Sequence, residues 1–96
     1  MVVIVTYDVC TGNAKGRRRL RRIALACKDY GQRVQKSVFE CDVGDTQWVV
    51  LKNRLLREME ETEDSLRFYY LDKDNHSKTE HHGLGKPVDL EGPLIA

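Results

Sequence analysis

The residue best placed to do chemistry is Asp8. It closes the run Val2-Val3-Ile4-Val5-Thr6-Tyr7-Asp8, in which six of seven residues are β-branched or aromatic. Such a run reads as a strand. Its apolar residues are continuous rather than alternating, the pattern of a central strand covered on both faces. Thr11-Gly12-Asn13 supplies turn chemistry directly behind it. A carboxylate delivered to the end of a buried strand can ligate a metal or serve in catalysis. A plain turn-forming Asp occupies the same place, and both readings stand at this point.

The second group is basic. Lys15, Arg17, Arg18, Arg19, Arg21, Arg22 and Lys28 crowd one short stretch. Solvated helix faces usually mix signs, because like charges four residues apart repel. Here Arg17/Arg21 and Arg18/Arg22 are like pairs, with no acid between Arg17 and Arg22. The run therefore predicts a surface for a polyanion, since guanidinium forks donate two bonds to phosphate. No aromatic residue interleaves it, which favours backbone contact over stacking on bases. The alternative is a solvated helix face.

Other candidates are weaker. His76, His81 and His82 lie in the polar stretch of residues 72–86 and read as part of a solvated loop rather than a metal cluster. Asp72-x-Asp74-Asn75 opens like a calcium loop but lacks the glycine and closing glutamate at their required offsets. Cys10, Cys27 and Cys41 have neither CxxC nor finger spacing and read as reduced thiols. Cys10, next to Asp8, is the one with access to a reactive role. No Ser-His-Asp or Cys-His arrangement has recognisable spacing, and Gly12 and Gly16 fit no phosphate loop.

These residues need elements to position them. After the first strand, a helix is predicted from about Lys15 to Tyr30, with Leu20, Ile23, Ala24, Cys27 and Tyr30 as its apolar stripe. Arg18 and Arg22 then point away from the core, Arg17 and Arg21 lie on one flank, and Arg19 lies on the other. Residues 33–43 are extended, as one bent strand or a tight pair. A second helix is expected over about Thr46 to Glu61, capped by Asp45 or Thr46, with Trp48, Leu51, Leu55, Leu56 and Met59 facing the core. Acids at its end (Glu58, Glu60, Glu61, Glu63, Asp64) call for solvent or a basic neighbour. Ser65 to Leu71 is a strand; Val88-Leu90 and Leu94-Ile95 are possible edge strands.

The 96 residues make one domain, 1–96, of α+β class. At 41% hydrophobic content it can form a core. The order of elements predicts a ferredoxin-like βαββαβ sheet with both helices on one face. Strand one is apolar on both faces, so a second subunit must cover the other; a twofold homodimer is the expected geometry. Asp8 of each chain would then meet its mate and make the two-carboxylate Mg2+ site that one chain lacks. No run approaches the roughly 20 apolar residues of a membrane span, and no signal peptide precedes strand one. A cytoplasmic protein without membrane partners is expected. The net charge of +1 hides an asymmetry: residues 1–36 carry nine Lys/Arg against two acids, and residues 37–96 carry seven against thirteen.

Several local patterns then coincide. Tyr7-Asp8 closes the first strand, and Gly16-Arg17-Arg18-Arg19-Leu20-Arg21 opens the first helix. Arg33-Val34-Gln35-Lys36-Ser37-Val38-Phe39-Glu40, Asp64-Ser65-Leu66-Arg67-Phe68-Tyr69 and Glu91-Gly92-Pro93-Leu94-Ile95 follow. Over nearly its whole length the chain resembles the small CRISPR-associated adaptation proteins of the "Cas two" family, in the variant accompanying type I systems. The resemblance implies a ferredoxin-like obligate homodimer in which an extra C-terminal strand, within residues 87–96, extends the partner's sheet. It implies a Mg2+-dependent endonuclease (Mn2+ as a substitute) acting on RNA or double-stranded DNA, with Asp8 as metal ligand and catalytic residue. Tyr7, Arg33 and Phe39 match positions implicated around that site, which implies a catalytic part for Tyr7, a nucleic-acid contact for Arg33 and a place near the site for Phe39. It also implies a non-catalytic role, bridging two dimers of the CRISPR integrase and holding incoming DNA on basic surfaces. Arg17, Arg18, Arg19, Arg21 and Arg22 match by region. An RNA-binding ferredoxin-like module outside this family ranks last, because strand one offers only Tyr7 for stacking.

Reversing Arg18 and Arg22 to Glu is expected to weaken duplex binding and flatten its dependence on salt, read from binding titrations at two salt concentrations. Unchanged affinity would overturn the polyanion-face reading.

Overall fold

Strand β1 (Val2–Asp8) is the middle of the sheet, and the other elements are arranged about it. The computed structural model describes residues 1–71 and 78–85. After β1 come α1 (Ala14–Tyr30), β2 (Gln32–Gln35), β3 (Val38–Asp42), α2 (Asp45–Glu58), β4 (Ser65–Leu71) and β5 (Lys78–Gly83). The strands form one sheet in the order β2-β3-β1-β4-β5, and all neighbours are antiparallel. The first six elements after one another make the predicted ferredoxin-like βαββαβ fold of α+β class, and β5 extends the sheet beyond β4.

Alternation along the strands divides the molecule into layers. Val3, Val5 and Tyr7 of β1 are buried, as are Phe39 and Cys41 of β3 and Leu66 and Phe68 of β4. These residues meet Ile23, Ala26 and Cys27 of α1 and Trp48, Leu51 and Leu55 of α2 in one core. Trp48 is a core residue: its ring stands edge-on to Phe68 at 5.0 Å and to Tyr70 at 5.7 Å. Val2, Ile4 and Thr6, on the face without helices, are only half-buried.

The uncertain segment 33–43 is a tight pair. β2 and β3 are joined through Lys36-Ser37, and both ends of that turn rest on Tyr7. The Tyr7 amide donates to the Ser37 carbonyl at 3.1 Å, and the Tyr7 hydroxyl donates to the Lys36 carbonyl at 3.2 Å. The N-cap of α2 is Gly44 rather than Asp45 or Thr46; its amide donates to Gln47 Oε1 at 3.0 Å.

Residues 72–86 read from the sequence as a loop, with a weak hairpin as the alternative, and 78–83 is a strand. Its polar composition hides it. On the helix side, Glu80 accepts from the Tyr70 hydroxyl at 3.0 Å and pairs with Lys52 at 2.6 Å. A polar edge strand with polar partners leaves no apolar period to detect. His81 and His82 therefore belong to β5. Asp72, Asp74, Asn75, His76 and the expected strand within 87–96 lie outside the described residues.

Burial pushes the Cys27 thiol from 9.0 up to about 12 and the Cys41 thiol up to about 11. Above pH 9 the unfolded chain loses these protons while the folded chain keeps them, so stability falls as pH rises. Their contribution is complete below about pH 9 and lost by about pH 12. Urea unfolding of wild type and Cys27→Ala across this window should show a shallower alkaline decline in the variant.

Candidate functional site at the end of the central strand

Asp8 is exposed at the last position of β1 and lies opposite Ser65 of β4, which in turn lies opposite Gly83 of β5. Alternation places it on the open face, in phase with Val2, Ile4 and Thr6. A cleft of about 460 Å3 at this end is lined by Asp8, Cys10, Glu63, Asp64, Ser65 and Arg67, among others.

Asp64 is the structural centre of that cleft. It is a charged residue with no exposed surface. Its carboxylate accepts from the Cys10 amide at 3.1 Å, the Glu60 amide at 2.9 Å, and Arg19 through Nε at 2.8 Å and Nη2 at 3.2 Å. Burial pushes this carboxyl up, but the Arg19 fork and the two amides outweigh it and hold the group below the usual carboxylate range. The Asp64 carbonyl also accepts from the Leu84 amide at 2.8 Å. One residue thus ties the loop after β1, helix α1, the α2–β4 turn and the end of β5. The sequence showed only an acid with a basic neighbour to find; the neighbour is Arg19, which holds Glu63 as well at 3.2 Å.

The start of α1 is pressed against the same loop. Asn13 caps it, accepting from the Gly16 amide at 2.8 Å. Gly16 is buried, and a Cβ there would run into the Cys10 carbonyl oxygen. Glycine is needed at this position for close approach rather than for a phosphate loop.

The structure separates two groups that sequence reasoning combined. Tyr7, Phe39 and Arg33 do come together: the Tyr7 and Phe39 rings stack at 6.2 Å, and the Arg33 guanidinium lies 5.1 Å from the Phe39 ring centre. They do so on the helix side, while Asp8 is on the open side. The period of two in a strand forces neighbours to opposite faces. Tyr7 is buried, and desolvation raises its hydroxyl above the ordinary phenol value. Expected beside Asp8, it lies on the other face of the sheet, where its amide and hydroxyl hold the β2–β3 turn.

The arginines divide similarly. Arg18 and Arg21 are exposed and make no ion pair among the described residues. Arg17 is exposed, with Nη1 donating to the Thr11 carbonyl at 3.4 Å. Arg22 leans toward Glu58 of α2 at 3.7 Å. Arg19, on the opposite flank, is committed to Asp64 and Glu63. Of the aromatics on β1, β3 and β4, Tyr69 alone is on the open face, in register with Ile4. A stacking platform of the RNA-binding ferredoxin type needs more than that.

Among the described residues no three His, Cys, Asp or Glu side chains gather to hold a metal. Asp64 is saturated by N–H donors and Glu63 holds Arg19, while Asp8 carries no cation. Among the described residues lining this cleft, Asp8 is the carboxylate that no cation engages. That fits Mg2+, which keeps its waters and takes one or two carboxylates, with a further ligand supplied from outside the chain.

A central strand ending on an open carboxylate, under two helices of which one is arginine-rich, defines a small ferredoxin-like protein. Residues 1–79 match the family described as CRISPR associated protein Cas2, and the chain belongs to that family. It is 58% identical over 95 residues to the CRISPR-associated endoribonuclease Cas2 of Chlorobaculum tepidum, covering 99% of both chains. It is 50% identical to the CRISPR-associated endonuclease Cas2 of Halalkalibacterium halodurans, again covering 99% of each. The crystal structure of Streptococcus pyogenes Cas2 at pH 6.5 matches with a TM-score of 0.70 and 54% identity, over 77% of this chain and 89% of that one. A Thermus thermophilus protein, TT1823, shares the fold at a TM-score of 0.56 and 24% identity, over 95% and 89% of the two chains.

Gly16→Ala should destabilise the fold by about 1–3 kcal/mol, because the added methyl meets backbone that cannot rotate away. A urea midpoint equal to wild type would show that the α1 start and the Cys10 loop are less tightly packed than the contact implies.

Proposed function

We propose that the protein is a CRISPR adaptation protein that binds nucleic-acid backbone and, as a homodimer, hydrolyses phosphodiesters with Mg2+ at Asp8. The observation that carries this reading is the free, exposed Asp8 carboxylate at the end of the central strand, in a cleft whose other carboxylates are already engaged. The half-buried Val2, Ile4 and Val38 on the open face support a second copy packing there. The twofold mate would bring the second Asp8. Two relatives' names, endoribonuclease and endonuclease, support the same chemistry and leave both RNA and double-stranded DNA as substrate classes.

Within this reading the chain's own groups have distinct roles. Asp8 would hold the metal through its carboxylate. Arg17, Arg18, Arg21 and Arg22 attract the phosphate backbone and set its path. Mg2+, when bound, polarises the phosphodiester and lowers the pKa of attacking water. We place the activity in the cytoplasm; no helix among the described residues is long and apolar enough to cross a membrane.

A second reading, a scaffold bridging integrase dimers, is favoured by one feature. The outward arginines of α1 are on the helix layer, and Asp8 is on the open face of the sheet. Duplex lying along α1 would then be held without being cut.

Asp8→Ala should abolish Mg2+-dependent cleavage of labelled RNA and duplex DNA, by roughly 100-fold or more, and leave duplex affinity unchanged. Cleavage at the wild-type rate, or cleavage that EDTA does not stop, would sink the nuclease reading. Intact binding with no cleavage by wild type would favour the scaffold.

A further inference from the structure

The cleft beside Asp8 contains a buried ion pair to which neither reading gives a task. Asp64 and Arg19 come from a turn and a helix 45 residues apart in sequence. Isolated buried charge is costly, so such a pair persists only with full hydrogen bonding. Asp64 has it: four N–H donors converge on two oxygens. One of those donors is the amide of Cys10, two residues beyond Asp8. Ser65, the next residue after Asp64, is the register partner of Asp8 itself. Asp64 therefore holds the loop two residues beyond Asp8 through its side chain, and its neighbour Ser65 faces Asp8 across the strand ladder. Arg19 is 16% exposed, against 59% for Arg22 on the outward face. Its Nε and Nη2 are spent on Asp64 and Glu63.

We propose that Arg19 and Asp64 are positioning residues for Asp8, and that Arg19 is not a phosphate contact. The pair fixes the Cys10 amide and, through it, the backbone that aims Asp8. Arg19 also holds the two other carboxylates among the described residues of the cleft, which leaves Asp8 as the one there without a cation. This rests on Asp8 being the metal-binding group. A resident cation then meets an oriented Asp8 rather than a choice among three acids. Loss of a partner that orients a metal ligand costs roughly 10–100-fold in affinity or activity.

The full chain carries the test, as Arg19→Gln, Arg19→Lys and Asp64→Asn, with Arg18→Glu and Asp8→Asn as references. Three quantities are measured: hydrogen exchange of the Cys10 amide without metal, Mn2+ broadening of the Asp8 and Cys10 amide resonances, and the salt slope of duplex binding. Cleavage kcat and KM are added. Arg19→Gln should lose Cys10 protection and weaken Mn2+ broadening. It should lower kcat roughly 10–100-fold with KM unchanged, and keep the wild-type salt slope. Arg19→Lys, which returns the charge without the fork, should recover part of kcat. Arg18→Glu should do the reverse, reducing the salt slope by about one or more with Cys10 protection intact. If Arg19→Gln reduces the salt slope and leaves Cys10 protection and Mn2+ binding unchanged, Arg19 is a phosphate contact and the proposal falls. Should Asp64→Asn not fold, the two Arg19 variants decide. Wild-type cleavage by Asp8→Asn would overturn the Asp8 reading instead, and Cys10 exchange with the salt slope would still judge the pair.

Discussion

Four N–H donors close on the Asp64 carboxylate in a place with no exposed surface. A carboxylate there is tolerable only because a guanidinium fork and two amides replace its water. Satisfying it requires the Cys10 loop, the α2–β4 turn and the inner flank of α1 to converge at one point. The end of β5 joins through the Asp64 carbonyl. That convergence brings a cleft to the end of β1 and leaves Asp8 at its rim. The glycine at the start of α1 belongs to the same arrangement, since a larger residue would push the helix off the Cys10 carbonyl.

A second constraint is the strand period. Tyr7 and Asp8 are adjacent in sequence and on opposite faces of the sheet. Tyr7 joins Phe39 and Arg33 beneath the helices and anchors the hairpin turn at Lys36 and Ser37. Asp8 faces the side that the described residues leave open. Substitutions at these two neighbours therefore report different things: packing of the β2–β3 hairpin in one case, the cleft in the other. The helix arginines divide on the same principle, because 100° per residue sends Arg18 outward and turns Arg19 toward the buried acid.

Much of the fold was legible in the residues. β1, α1 and β4 have long, strongly periodic patterns, and their ends agree with the structure to within a residue. The second helix was read a few residues too long, because Met59 completes its apolar stripe even though the backbone has already left the helix. β5 was legible only as a weak hairpin within a loop, because its partners are polar and charged groups rather than an apolar layer. Of the site, Asp8 and the outward arginines were legible from residue type and spacing. Asp64 was not: it sits among five acids whose sequence neighbourhoods look alike.

Residue order by itself determined the succession of strand, helix, extended segment, helix and strand, the central position of β1 and the phase that puts Asp8 at its exposed end, since periodicity is local and repeats along the chain. It also determined which arginines face outward, for the same reason. Only the tertiary structure decided which acid would be buried, which arginine would neutralise it, and that Tyr7 would part company with Asp8 to hold a turn. Those outcomes depend on contacts between residues tens of positions apart, and no local pattern encodes how two distant segments meet.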